Sequence, residues 1–297
     1  MTFSIVGYDP NTGDLGVAVQ SKFICVGALV PWGQANVGAI ATQAYANISY
    51  GPNGLELLRS GMKAKKVVTK LVEEDSEKES RQVAVVDANG KAECFTGKDC
   101  FEWAGHIVGE NYSVQGNILI SEETVESMAK AFETKRGGLA DKLLAALAAG
   151  GKEGRGDRRG KQSASLLVLR EKGSYGGYTD RLIDIRVDEH PEPIKELHRI
   201  FNLYDMIFLT REDRDQLLTI EGEISMNIKE ILIELGYLEI PSDEWSSNET
   251  DALENWVGIN NFENKWRPDG RIWKSIYDYM LREKGTPAIS LRKMSEL

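Results

Sequence analysis

Short runs of apolar and small residues, separated by turn-forming clusters, fill the first two thirds of the chain. Leu15, Val17 and Val19 alternate with Gly16 and Ala18, and Asp9-Pro10-Asn11-Thr12-Gly13 links this run to Phe3–Val6, which predicts a strand pair. Val83–Val86 and Ala92–Phe95 flank Asp87-Ala88-Asn89-Gly90, whose Asn-Gly step suits a hairpin. Ser165–Leu169 and Ile183–Val187 bracket a connection rich in Gly and Tyr. Several of these strands are apolar or small at every position, so both of their faces are expected to be covered. Two antiparallel sheets packed face to face, with the first strand central, would satisfy that pattern.

Helical periodicity lies between the strands. Asn53 is placed to cap a run through Arg59, and a second run extends from Met62 to Glu74. Ser121 precedes Val125, Met128, Ala129 and Phe132 at helical spacing, and Leu139–Ala149 stops at Gly150-Gly151. Strands, helices, strands, helices, strands in that order predict an α+β layered sandwich with its helices outside rather than a βαβ wind.

The pattern changes near residue 200. Ile224, Ile228, Ile231, Leu232 and Leu235 form one stripe, and Ala252, Leu253, Trp256 and Val257 a second. Pro268-Asp269 is expected to open a third helix burying Ile272, Trp273, Ile276, Tyr277 and Met280. Composition shifts at the same place: 24 of 29 Gly precede residue 201, whereas four of six Trp follow it. The expected division is therefore residues 1–205 and a small all-α domain at 206–297, with His190–Asp213 as the connection.

Charge narrows the function classes. The chain carries 46 acids against 36 bases, net −10, and residues 201–297 alone hold 19 against 11. Nucleic acid and anionic membrane surfaces are poor partners for such a balance. No apolar run is long enough for a span, and the start of the chain has no basic leader, so no membrane and a cytoplasmic address are expected. Three Cys (Cys25, Cys94, Cys100) and three His (His106, His190, His198) show no zinc or disulfide spacing, so no metal and no cofactor are expected.

The candidate chemistry starts at Thr2. Removal of the initiator Met would leave an α-amine with a pKa of roughly 8 beside a hydroxyl, so that one residue supplies nucleophile and base. Ser21-Lys22 ends the strand paired beside it; a buried Lys there would lower the hydroxyl pKa. Asn117 follows a strand-like stretch, and its amide suits a developing oxyanion. The loop Gly154–Gly160, with Asp157, Arg158 and Arg159, offers Arg forks for a carboxylate or phosphate, or else ties itself together through Asp157. Cys25 with His106 is a further nucleophile–base pairing to weigh.

Thr2–Val6, Leu15–Phe23, Val26–Trp32, Ala41–Ala44, Tyr50-Gly51-Pro52, Trp103-Ala104-Gly105, Val114–Asn117 and Gly156–Ala164 together resemble the domain of unknown function 1028 family over about 200 residues. That family is grouped with the N-terminal nucleophile (Ntn) hydrolases. The resemblance implies a four-layer αββα sandwich and amide cleavage by the N-terminal residue. On this reading the substrate is a small-molecule amide or peptide-like compound. Thr2 attacks, Ser21 and Lys22 tune it, and Asn117 or a backbone N–H holds the oxyanion. Asp157, Arg158, Gln162 and Ser163 orient the substrate, with Thr42 and Gln43 as weaker pocket residues. The alternatives are a non-catalytic ligand- or partner-binding protein on the same scaffold, and a hydrolase dependent on Cys25. Ile228–Leu238, Thr250–Asn260 and Asp269–Met280 are similar to a small helical peptidoglycan-binding-like domain, which implies a cell-wall fragment or a protein partner. A homo-oligomer is expected by analogy with assembling enzymes of this kind.

Overall fold

A computed structural model describes residues 2–209, 211 and 214–284. In chain order it contains β1 (Thr2–Tyr8), β2 (Leu15–Ser21), β3 (Pro31–Gln34), β4 (Gly38–Ala44), α1 (Tyr50–Arg59), α2 (Ala64–Glu73), β5 (Arg81–Asp87) and β6 (Ala92–Thr96). Then come β7 (Gly105–Gly109), β8 (Tyr112–Asn117), α3 (Glu123–Thr134), α4 (Leu139–Gly150), β9 (Ser163–Leu169), β10 (Arg181–Val187) and α5 (Pro193–Phe208). The remainder is β11 (Leu217–Thr219), α6 (Gly222–Glu234), α7 (Ser247–Ile259), β12 (Arg271–Trp273) and α8 (Lys274–Glu283). The chain divides into two compact units, 1–201 and 202–297.

The first unit is a mixed helix-and-sheet domain of the α+β class. One antiparallel sheet runs β10-β9-β2-β1-β8-β7 and a second runs β3-β4-β5-β6, so β1 is an interior strand. The sheets face one another across Val6, Val17, Val19, Ala39, Ala41, Ala84 and Val86, all buried. Alternation sends Ile40, Val83 and Val85 the other way, onto Tyr50, Leu55, Leu58, Val67 and Leu71 of α1 and α2. Helix α4 lies on β1 and β2, and α3 on β8. Close approach there depends on Gly16, where an added Cβ would stand 2.7 Å from the Leu143 side chain. β2 and β9, apolar or small over Leu15–Val19 and Ser165–Leu169, are therefore buried on both faces, as that pattern requires.

The second unit packs α6, α7 and α8 around Ile228, Ile231, Leu232, Leu253, Trp256, Ile276 and Met280. It is not all-α. Leu217–Thr219 pairs with Arg271–Trp273 as an antiparallel ribbon, so the helix expected to open at Pro268-Asp269 begins only at Lys274. Two other expectations shift. Helix α1 starts at Tyr50, which makes Asn53 an internal residue rather than its cap. The expected connection at His190–Asp213 contains the 16-residue helix α5, with Pro193 at its first position, where a missing N–H costs nothing. Among the described residues, no helix is long and apolar enough to cross a membrane.

Candidate functional site

The register of the six-stranded sheet brings four expected residues into one row. Thr2 pairs with Ser21 on one side and Asn117 on the other, and Ser21 pairs with Ser163. Paired residues in antiparallel strands project from the same face, here the one turned to the second sheet. All four are at most 6% exposed. Thr2 Oγ1 lies 3.0 Å from Ser21 Oγ, so the two hydroxyls share a hydrogen bond.

Behind this row the space between the sheets is filled with amides. Gln43 Nε2 donates to the Thr2 carbonyl (3.3 Å) and to Gln82 Oε1 (2.7 Å), while Ser4 Oγ donates to Gln43 Oε1 (2.7 Å). Asn117 Nδ2 donates to the same Gln82 oxygen at 3.0 Å, which engages one of its two N–H bonds. Gln82 Nε2 lies 2.8 Å from the Gly116 carbonyl and 2.9 Å from Thr96 Oγ1. Gln115 Nε2 donates to the Ala41 carbonyl (2.9 Å) and Ser4 Oγ (3.2 Å), and the Cys94 thiol donates to Gln115 Oε1 (3.2 Å). Burial pushes the Cys94 thiol well above its ordinary pKa, so it is a neutral donor.

Asn117 also lines a cavity of about 180 Å³ together with Ala44, Tyr45, Cys100, Phe101, Ile118 and Arg159. Two of these residues stand at strand ends with left-handed backbone, Ala44 closing β4 at φ 68° and Ile118 just after β8 at φ 52°. That conformation is strained for a β-branched residue, and such strain concentrates at sites where geometry is imposed by function. The Tyr45 wall is tied down from behind. Arg81 donates to the Tyr45 carbonyl (2.7 Å) and, through Nε, to Asp75 (3.0 Å), which also accepts from Asn47 (3.0 Å) and Tyr50 (2.9 Å). Burial alone would raise the Asp75 pKa, but the hydrogen bonds from Asn47 and Arg81 outweigh it and hold the carboxyl well below the carboxylate range.

The loop after α4 closes this end of the sheet. Asp157 accepts from the backbone N–H groups of Lys22 (2.9 Å) and Arg159 (2.8 Å), and Gln162 N donates to the Ser21 carbonyl (3.1 Å). Burial raises the Asp157 pKa, with those two N–H bonds acting against it. Asp157 thus ties the loop to β2 through backbone N–H groups, not through the Arg side chains.

Five expectations need correction. Lys22 is exposed, and its ammonium donates to the Lys161 carbonyl (3.3 Å), so it lacks the buried position from which it is expected to tune Thr2. Thr42 alternates away from Gln43 and donates to the Asn47 carbonyl (3.0 Å), outside the row. Ser163 joins the row, but its hydroxyl donates to the Phe23 carbonyl and accepts from Val26 N (3.1 Å), which pins the turn after β2. Arg158 sends its guanidinium to the Glu102 carbonyl, while its neighbour Arg159 lines the cavity. His106 pairs with Thr96 Oγ1 (2.8 Å) and not with Cys25. Met1 lies outside the described residues. Gln82, Gln115, Tyr45 and Phe101 have no site role in the sequence, and Arg159 is marked there only as part of the Gly-bounded basic loop.

A family model described as "Family of unknown function (DUF1028)" matches residues 2–197, the whole of the sheet and loop framework just described. The chain belongs to the DUF1028 family. A second model, "Putative peptidoglycan binding domain", matches residues 207–280. The crystal structure of protein SPO2555 from Silicibacter pomeroyi, itself assigned to DUF1028, is 30% identical with a TM-score of 0.62 and covers 75% of this chain and 88% of its own. Anbu (ancestral beta-subunit) from Yersinia bercovieri shares 11% identity at a TM-score of 0.31 over 68% of this chain and 93% of its own. That likeness is too slight to carry an argument about the fold. No curated protein matches the chain.

Proposed function

We propose that this DUF1028 protein is an Ntn-type amidohydrolase acting on a small amide or peptide-like substrate, with Thr2 as nucleophile once the preceding Met is removed. The observation that carries the reading is the Thr2 hydroxyl, buried at a strand end, 3.0 Å from Ser21 Oγ and next in register to Asn117 at the cavity. The two facing sheets with helices outside, and the resemblance of residues 2–197 to a family grouped with Ntn hydrolases, support the αββα assignment.

The chemistry assigned to these groups is self-contained. The free α-amine of Thr2 takes the proton from Oγ1 as that oxygen attacks the amide carbonyl carbon. The second N–H of Asn117 points the charge-stabilising dipole at the resulting oxyanion, and Gln82 holds the amide in place. Collapse breaks the C–N bond, the protonated amine returns its proton to the leaving nitrogen, and an ester on Thr2 remains. Water then cleaves that ester with the same amine as base. Ser21 orients the hydroxyl, and Gln43 fixes the Thr2 carbonyl. Lys22 has no part in this scheme; its exposure is what favours the rival reading, a non-catalytic binding protein on the same scaffold. The second unit is read as a separate module for a cell-wall fragment or a protein partner.

Met-free protein assayed against a panel of small amides tests the proposal. Thr2→Ala should lower kcat/KM at least about a thousandfold while circular dichroism stays unchanged and melting falls by no more than a few degrees, and Thr2→Ser should keep partial activity. Turnover that survives Thr2→Ala removes Thr2 as the nucleophile.

A further inference from the structure

The cavity beside Asn117 has a chemical bias that narrows the substrate. Its mouth carries two aromatic side chains, Tyr45 and Phe101, 61% and 54% exposed, with ring centroids 6.2 Å apart. Exposed aromatic pairs at a concave site favour contact with an apolar or planar body over contact with water. Beside them stands one cation. Residues 152–161 hold five bases and two acids. Of these bases, Arg155 pairs with Glu123, Lys161 with Glu192 (2.9 Å), and Arg158 with the Glu102 carbonyl. Among the described residues, the Arg159 guanidinium forms no hydrogen bond or ion pair, while its backbone N–H is fixed by Asp157 at 2.8 Å.

A chain of net charge −10 repels anions at long range, so an anionic ligand needs a local cation to hold it. A guanidinium on a tethered loop supplies that cation in the planar, two-pronged form that matches a carboxylate. Size sets the last limit. The cavity, about 180 Å³, falls below the about 300 Å³ at which drug-sized pockets begin, which suits one side chain and one carboxylate better than a folded peptide.

We infer that the ligand of this cavity is a small N-acyl amino acid. Its free carboxylate lies on Arg159, its aromatic or branched apolar side chain lies against Tyr45 and Phe101, and its amide carbonyl turns toward Asn117 and Thr2. The inference rests on the amidohydrolase reading for its orientation, but binding can be measured apart from turnover.

Isothermal titration of the full-length Thr2→Ala protein with N-acetyl-L-phenylalanine and with its carboxamide provides the test. The acid should bind at least about tenfold tighter than the amide, the scale of one charge-assisted pair. Arg159→Ala in the same background should abolish that preference, Arg159→Lys should restore part of it, and Phe101→Ala should weaken both ligands alike. Equal affinity for acid and amide, a preference for the amide, a preference that survives Arg159→Ala, or no detectable binding of either would overturn the inference. Turnover that depends on Thr2 without any acid preference would remove the ligand class and leave the nucleophile. Acid-selective binding without turnover would do the reverse.

Discussion

The two ends of the space between the sheets are built from the same strands and filled with opposite materials. Toward one end β1, β2, β4 and β5 contribute Val6, Val17, Ala39, Ala84 and Val86, aliphatic and buried. Toward the other, the same four strands contribute Thr2, Ser4, Ser21, Gln43 and Gln82, equally buried but hydrogen-bonded to one another. Apolar contacts tolerate small rearrangements at modest cost, because dispersion is non-directional. An amide network does not, because each unmet donor or acceptor carries its full desolvation penalty. The aliphatic end holds the sheets together, and the amide end fixes where Thr2 and Asn117 stand.

Gln82 gives the largest expected contrast. Its amide bridges Gln43, Asn117, Thr96 and the Gly116 carbonyl, so Gln82→Ala should cost about 3–4 kcal/mol in urea unfolding. Val86→Ala at the aliphatic end should cost about 2 kcal/mol, the loss of two methyl groups and a small cavity. Gln82→Leu should be nearly as damaging as Gln82→Ala, since it leaves the same partners unmet. A neutral or stabilising Gln82→Leu would mean that the amide end is merely tolerated.

A weaker, pH-dependent effect is expected at Asp157. Its folded-state pKa is raised, burial being the largest cause, so the folded state binds the proton more tightly than the unfolded chain does. Stability from this group is therefore fullest below the ordinary aspartate pKa and declines as pH rises through the raised folded value. Asp157→Asn should flatten that decline in stability measured between acid and neutral pH. An unchanged slope would place the origin elsewhere. Lys22→Ala comes last. With an exposed side chain and one hydrogen bond to a carbonyl, it should shift stability by less than about 0.5 kcal/mol and leave kcat/KM within about twofold. A large activity loss would restore Lys22 to the site and redraw the boundary of the polar end.

What the sequence could disclose follows the same division. The aliphatic end is legible because covered strands need apolar residues at successive positions, as in Leu15–Val19 and Ser165–Leu169. The site is legible only at its corners. Thr2, Ser21 and Asn117 stand out as a terminus and two strand ends, but their meeting depends on register and on sheet order, which no local window encodes. Gln82 and Gln115 escape notice because an alternating polar residue ordinarily marks a wet face, and only the second sheet makes that face dry. Arg158 and Arg159 are adjacent, and which one reaches the cavity is decided by the backbone between Gly156 (φ 83°) and Gly160 (φ 107°). Helix α5 hides behind Pro191-Glu192-Pro193, which reads as a linker. The β11–β12 ribbon joins segments more than 50 residues apart, so Arg271–Trp273 reads as the start of a helix.

The interior position of β1 also sets a timetable. Ribosomal synthesis delivers β1 and β2 first, but the strands that flank them, β8 and β9, begin at Tyr112 and Ser163. The first hairpin therefore waits with both outer edges bare while about ninety further residues are made, and with its β2 edge bare for about fifty more, an interval in which chaperones or unwanted strand partners have access to it. The same interval is the window for an aminopeptidase. Once Asn117 and Ser163 have joined the row, Thr2 is 6% exposed, so on the proposed N-terminal nucleophile reading the nascent chain is where trimming ahead of it is expected.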